Sequence, residues 1–189
     1  MAKFDPTHMD RLVSPERYRW QNPEEVLDAL GLAPGMILAD VGAGPGFYTL
    51  PAAARVGPGG KVYALDIEPR MLERLRERAA AEGASNIEEL VSQEDRLPLP
   101  DGAVDAALAA NVLHEVPARA KLLREIARVL RPGGALAVVE WRKEEMEKGP
   151  PFAERWTYRQ VARALRGAGF HDIEPFELGT YHYGARARK

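Results

Sequence analysis

The chain has 189 residues, 46% hydrophobic and 29% charged, which is enough for one α/β core and short for two. A formal charge of −2 and a pI of about 6.1 argue against a nucleic-acid binder held by phosphate contacts. With no cysteine in the chain, disulfides, zinc–thiolate sites, thiol catalysis and arsenite chemistry through bound thiolates are excluded.

The start, Met1-Ala2-Lys3-Phe4-Asp5-Pro6, lacks the apolar core of a secretory signal, and no apolar run reaches membrane-spanning length, so a cytoplasmic protein is expected. Residues 1–21 show no clear periodicity and mix Phe4, Met9, Tyr18 and Trp20 with charges. They read as an N-terminal arm or lid on a domain spanning 22–189. Asn22-Pro23-Glu24-Glu25 predicts a helix start: Asn at the N-cap, Pro at the first position, acids in the first turn. Val26, Leu27 and Leu30 supply its apolar stripe, and Gly31 its end. The apolar run Met36 to Val41 reads as a buried parallel strand ended by glycines.

A helix over Phe47 to Val56 follows, then a strand from Lys61 to Leu65 ending at Asp66, and a helix from Pro69 to Glu82 that Gly83 closes. Asn86 to Val91 makes a third strand and Val104 to Ala110 a fourth, on either side of the turn at residues 98–102. A helix from Pro117 to Leu130 is stopped by Arg131-Pro132-Gly133-Gly134, and Ala135 to Trp141 is a fifth strand. Residues 142–156 form a charged, proline-bearing loop, after which Thr157 caps a helix to Ala168 with Gly169 as its stop. His171–Leu178 and Tyr181–Ala187 are two strands separated only by Gly179-Thr180, the pattern of an antiparallel hairpin. Five alternations of strand and helix predict an α/β fold: a Rossmann-like, mostly parallel seven-stranded sheet with helices on both faces and a C-terminal antiparallel hairpin.

The sharpest motif is Asp40-Val41-Gly42-Ala43-Gly44-Pro45-Gly46-Phe47, between the first strand and a helix. Glycines there let the backbone turn tightly and a ligand approach the strand end, while the helix start offers free N–H groups. A dinucleotide fingerprint would read G-x-G-x-x-G; here the third glycine comes one residue early and an acid precedes the first. An NAD(P)-dependent oxidoreductase is therefore the disfavoured reading of the loop.

The pattern D-x-G-x-G-x-G resembles the first signature of the class I S-adenosylmethionine-dependent methyltransferases. The resemblance extends over roughly residues 22–140, through Ala64-Leu65-Asp66-Ile67, residues 97–105 and Val129-Leu130-Arg131-Pro132-Gly133-Gly134. It comes nearest to the group of the ubiquinone and menaquinone methyltransferases. It implies a methyltransferase with S-adenosylmethionine as cofactor, S-adenosylhomocysteine as product and no metal.

Position by position, the resemblance implies that Asp66 binds the ribose hydroxyls, with a helix cap as the bland alternative. Ile67 packs on the adenine or is core. Gly42, Ala43, Gly44 and Gly46 line the methionine and ribose portion. Asp40 holds the loop and the ammonium through water, or only caps loop amides. Relatives often carry an aspartate after the third strand; here Gln93 stands at that position, and Gln93 or Glu94 contacts the adenine or belongs to a solvated loop. Ala110 meets the ammonium by its backbone, and Asn111 joins that contact, points at substrate or begins the next turn.

On the acceptor side, the Asn/Asp-Pro-Pro-aromatic signature of nucleobase-amine methylation is absent after the fourth strand. His114 is the catalytic candidate, able to position or deprotonate an acceptor hydroxyl near its reference pKa of about 6.5, or else a structural histidine at a helix start. Glu140 faces the same expected pocket as a base, a cation ligand or an idle strand-end acid. Tyr18, Trp20 and Tyr48 close over the cofactor or pin the arm. The expected partner is a small-molecule acceptor for O- or C-methylation, with an RNA target disfavoured by charge; a regulatory binder without turnover is the remaining alternative.

Overall fold

The structure, a computed structural model, describes residues 6–189; Phe4 and the rest of the arm's first five residues lie outside it. Among the described residues, seven strands form one sheet in the order β3-β2-β1-β4-β5-β7-β6. These are β1 (Ile37–Val41), β2 (Lys61–Asp66), β3 (Ile87–Val91), β4 (Val104–Ala110), β5 (Leu130–Trp141), β6 (His171–Leu178) and β7 (His182–Arg188). The pairings β3–β2, β2–β1, β1–β4 and β4–β5 are parallel, and β7 enters antiparallel between β5 and β6. The helices are α1 (Pro15–Tyr18), α2 (Pro23–Leu30), α3 (Thr49–Val56), α4 (Pro69–Glu82), α5 (Arg119–Val129) and α6 (Tyr158–Gly167), with short 3-10 turns at Pro6–Val13 and Phe152–Glu154. None of these helices is long and apolar enough to cross a membrane.

Local chemistry explains the element ends. The Asn22 side chain accepts from the Glu24 N–H at 3.1 Å to start α2, and Gly31 ends it at φ 69°. Thr157 and Gln160 form a reciprocal capping box for α6: Gln160 N–H donates to Thr157 Oγ1 at 3.3 Å, and Thr157 N–H donates to Gln160 Oε1 at 2.9 Å. The sheet core follows from period-two alternation. Leu38, Ala106, Leu108 and Val139 face α2 and α3, whereas Ala39, Val41, Ala107, Ala109 and Val138 face α5 and α6.

Several boundaries shift by one or two residues, and one departs further. β5 begins at Leu130 rather than Ala135, because Leu130 pairs with Val104 before a register shift and Ala135 pairs with Ala106 after it. The Arg131–Gly134 segment expected as a turn is thus an irregularity inside the strand, held by Lys189 N–H donating to the Gly134 carbonyl at 3.0 Å. The strand order reverses at β1, with β2 on one side and β4 on the other. Loops leaving the carboxyl ends of β1 and β4 therefore diverge and open a crevice.

Candidate active site

The glycine loop leaves β1 and is tied to β2: the N–H groups of Gly42 and Ala43 both donate to the Leu65 carbonyl, at 2.7 and 3.0 Å. Gly42 and Gly46 hold φ +75° and +90°, and a Cβ at Gly42 would also collide with the Val112 side chain and one at Gly46 with Leu75, so backbone conformation and packing both require glycine there. Gly44 differs. It shares the positive φ of the other two, at +53°, but an added Cβ would meet only Leu12 Cδ1 of the arm, 3.8 Å away.

Asp66 ends β2 with its carboxylate against this loop. Oδ2 accepts from Gly44 N–H at 2.8 Å and Oδ1 from Glu68 N–H at 2.9 Å. Its side chain is not the cap of α4; that role falls to Glu68, which accepts from Arg70 N–H at 3.1 Å. Burial raises the Asp66 pKa, against the pull of the N–H groups of Glu68, Gly44 and Ile67. Ile67 beside it is 39% exposed, which removes the reading of this residue as core. Asp40 is buried and accepts from Thr49 Oγ1 at 2.6 Å, so it ties β1 to α3 instead of capping loop amides. Burial lifts its pKa to about 6 despite that bond.

The loop after β3 lies beside the Asp66 end of β2, Ser92 N–H donating to the Asp66 carbonyl at 2.9 Å. In it Gln93 is exposed and its N–H donates to the Arg96 carbonyl at 3.1 Å, with Glu94 half-buried next to it. At the end of β4, after half-buried Ala110, Asn111 takes φ 60° and its N–H donates to the Val139 carbonyl at 2.8 Å. Its Oδ1 is buried without a hydrogen-bond partner.

Beyond the end of β4, His114 forms a buried pair with Glu140 of β5. His114 Nδ1 lies 2.8 Å from Glu140 Oε2, and His114 N–H donates to Glu140 Oε1 at 3.3 Å. His114 is 4% exposed and Glu140 fully buried, so Glu140 serves the imidazole and is neither an idle strand-end acid nor an open cation ligand. Burial pulls the His114 pKa down, but the hydrogen bond and charge of Glu140, with Glu115 and Glu154, outweigh it and leave it above the ordinary value. Arg119 fixes the turn that carries His114 by donating to the carbonyls of Leu113 (2.6 Å) and His114 (3.3 Å), while its guanidinium stacks 4.6 Å over Trp156.

A family model described as a methyltransferase domain matches residues 39–138, from β1 through most of β5. An arsenite methyltransferase of Halobacterium salinarum is 36% identical over 107 residues, 57% of this chain and 27% of that protein. A ubiquinone/menaquinone biosynthesis C-methyltransferase of Hahella chejuensis is 37% identical over 118 residues, 62% of this chain and 47% of that protein. The chain thus spans less than half the length of these two relatives. A crystal structure of an S-adenosylmethionine-dependent methyltransferase from Aquifex aeolicus superposes with a TM-score of 0.93 at 39% identity, covering 98% of this chain and 99% of that one. The chain belongs to the class I S-adenosylmethionine-dependent methyltransferases.

The methyltransferase has residues that fit its cofactor. Asp66 has lone pairs that could accept from ribose hydroxyls, Gly44 has only Leu12 of the arm over it, and the orphaned Oδ1 of Asn111 is an acceptor that could take an ammonium. Ile67 is an exposed apolar side chain, and Gln93 and Glu94 on the loop after β3 are polar, so an adenine could be held there. Sequence reasoning did not find Arg17, Gln21 and His182, which line the same end of the sheet. They sit in the arm and in a hairpin strand, where no motif marks them.

His182 is fully buried between Trp20, stacked at 5.4 Å, and Trp141, at 4.1 Å, and neither ring nitrogen has a partner. Burial, with the nearby charges of Arg17, His114 and Arg142, depresses its pKa to about 3. It stays neutral in the fold while the unfolded chain takes up a proton below about pH 6.5, so stability falls as pH drops from there toward 3. Asp40, raised to about 6, acts in the opposite direction between about pH 6 and 4 and masks this in the native protein. The comparison with His182→Phe isolates it: the variant's stability advantage should widen by about 2 kcal/mol between pH 7 and pH 5. Chemical denaturation at the two pH values measures this, and a constant gap would show that His182 titrates normally.

Proposed function

We propose that this methyltransferase acts on a small-molecule acceptor at oxygen or carbon, with His114 as the base that takes or holds the acceptor's proton. The buried His114–Glu140 pair carries the proposal. Glu140 accepts from Nδ1–H and fixes the ring's orientation, while Nε2, 3.7 Å from Glu115 Oε1, is the nitrogen assigned to the acceptor's proton. S-adenosylmethionine supplies a methyl group already activated on a sulfonium, so the protein's task is placement of the acceptor in line with it. In this proposal Asp66, Gly44 and Asn111 fix one partner, and His114 orients the other across the crevice.

The acceptor class is supported by charge and by relatives. The net charge of −2 does not suit a phosphate-rich partner, and the Hahella chejuensis relative is named for C-methylation in quinone biosynthesis. An arsenite acceptor held by thiolates is unavailable to a chain without cysteine.

Two measurements test the reading. S-adenosylhomocysteine at 100 times its dissociation constant should add about 2.7 kcal/mol, raising the melting temperature by roughly 5–10 °C, and NAD or NADP should not. Incubation with methyl-labelled S-adenosylmethionine and either a small-metabolite extract or total RNA should then label the metabolite fraction. Stabilisation by NAD or NADP alone would reject the cofactor, and label entering RNA alone would reject the acceptor class.

A further inference from the structure

Arg17, on α1, is only 8% exposed, yet among the described residues its charge has no matching carboxylate. Nε donates to Gln21 Oε1 at 2.7 Å, one Nη donates to the Leu12 carbonyl at 2.6 Å, and the guanidinium lies 4.1 Å over the Phe47 ring. Among the described residues, Asp40 is the one carboxylate whose charge acts on it, and Asp40 is already engaged by Thr49. Buried charges in folded proteins are ordinarily paired, because an unpaired one is costly to keep out of water.

The surroundings add donors rather than acceptors. Gln21 is fully buried; its carbonyl oxygen is taken by Arg17, and its amide Nε2 has no partner. The Tyr48 hydroxyl, 4% exposed on that residue, is also without a partner although the Gln21 amide faces it. Further along the same wall, Trp20 Nε1 can only donate and is likewise unpartnered. A buried cation ringed by spare N–H and O–H groups is the arrangement that recognises an oxyanion. It borders the glycine loop: Leu12, held by Arg17, covers Gly44, and Phe47 follows Gly46.

We propose that Arg17, with the Gln21 amide and the Tyr48 hydroxyl, forms a buried carboxylate-binding site, filled by the amino-acid tail of the cofactor or by a carboxylate on the acceptor. The proposal rests on the S-adenosylmethionine reading of the crevice. It also makes the arm part of the binding site, since Arg17 holds Leu12 over the loop by the same guanidinium that takes the carboxylate.

Calorimetric titration with S-adenosylhomocysteine and with 5′-methylthioadenosine, which lacks the amino-acid tail, separates the sources. If the tail fills the site, Arg17→Gln should weaken S-adenosylhomocysteine at least thirtyfold and 5′-methylthioadenosine less than threefold, with Arg17→Lys recovering part of the loss. If the acceptor fills it, both nucleosides should bind Arg17→Gln normally, and benzoate should raise the melting temperature of the wild-type protein bound to 5′-methylthioadenosine but not that of the variant. Equal weakening of both nucleosides in a folded variant, or normal binding of both with benzoate inert, overturns the proposal. Failure of both nucleosides to bind the wild-type protein would instead reject the cofactor reading on which it stands.

Discussion

Asp66→Ala is expected to weaken S-adenosylhomocysteine binding a hundredfold or more while the sheet stays folded. The carboxylate takes the Gly44 and Glu68 N–H groups, one per oxygen, with the Ile67 N–H also acting on it, and its remaining lone pairs are the ones a ribose diol would use. Two hydrogen bonds to a charged acceptor are worth about 1.5–3 kcal/mol each, and every 1.4 kcal/mol is tenfold in affinity. The same substitution removes the partners of two backbone N–H groups, so some loss of stability should accompany it. Asp66→Asn separates the effects. It keeps an oxygen for one N–H but exchanges the charge for an amide, and it should lose most of the affinity with a smaller fall in melting temperature. Calorimetry on the two folded variants measures both quantities, and an unchanged dissociation constant in either would leave Asp66 with the loop-fixing role alone.

The parts of this protein that sequence made legible are those whose cause lies within a few residues. The Asn22 cap, the Gly31 stop and the Thr157–Gln160 box each act over one turn of chain, and each starts or ends the expected helix. The β4 boundaries and the C-terminal hairpin follow from equally local patterning, although the hairpin turn takes in Tyr181 as well as Gly179-Thr180. What escaped is set by residues distant in sequence. β5 starts early because of where Leu130 and Ala135 meet β4, which no local rule states. Gly42 and Gly46 were expected for a tight turn and a close ligand; their positive φ values fit the turn, and the packing of Val112 and Leu75 against them adds a demand that no local rule states.

The candidate site divides along the same line. The glycine loop and Asp66 belong to one strand–loop–helix–strand unit and were visible as a motif. Glu140 was visible only as an acid at a strand end, and its task emerged when parallel pairing of β4 with β5 set it against His114. Arg17 was invisible for a different reason: in a short arm without periodicity, an arginine on paper is a solvated charge. Only the packing of α1 against Phe47 buries it.

That pairing makes the design of the His114 test depend on Glu140. Alanine at 114 would leave a fully buried carboxylate without its partner, a change that typically costs about 3–5 kcal/mol, so loss of activity and loss of fold would coincide. His114→Gln retains an amide N–H for Glu140 and removes the imidazole. It should keep S-adenosylhomocysteine affinity within a few-fold and reduce turnover on an identified acceptor by about 10²–10⁴, the usual worth of a positioned base. The pH dependence carries the sign of the role. A base works in its neutral form, and because Glu140 outweighs burial to raise the His114 pKa, the rate should climb with pH through a midpoint above the ordinary 6.5. The stability that His114 gains from Glu140 runs the other way: it is fully present below the unfolded-state pKa and is lost as pH rises through the folded one. Activity should therefore rise over the interval in which this contribution to stability declines. Glu140→Gln should move the ascending limb to lower pH and His114→Gln should abolish it. A His114→Gln enzyme that melts like the wild type and turns over at its rate, with the limb in place, would show that the imidazole only packs there.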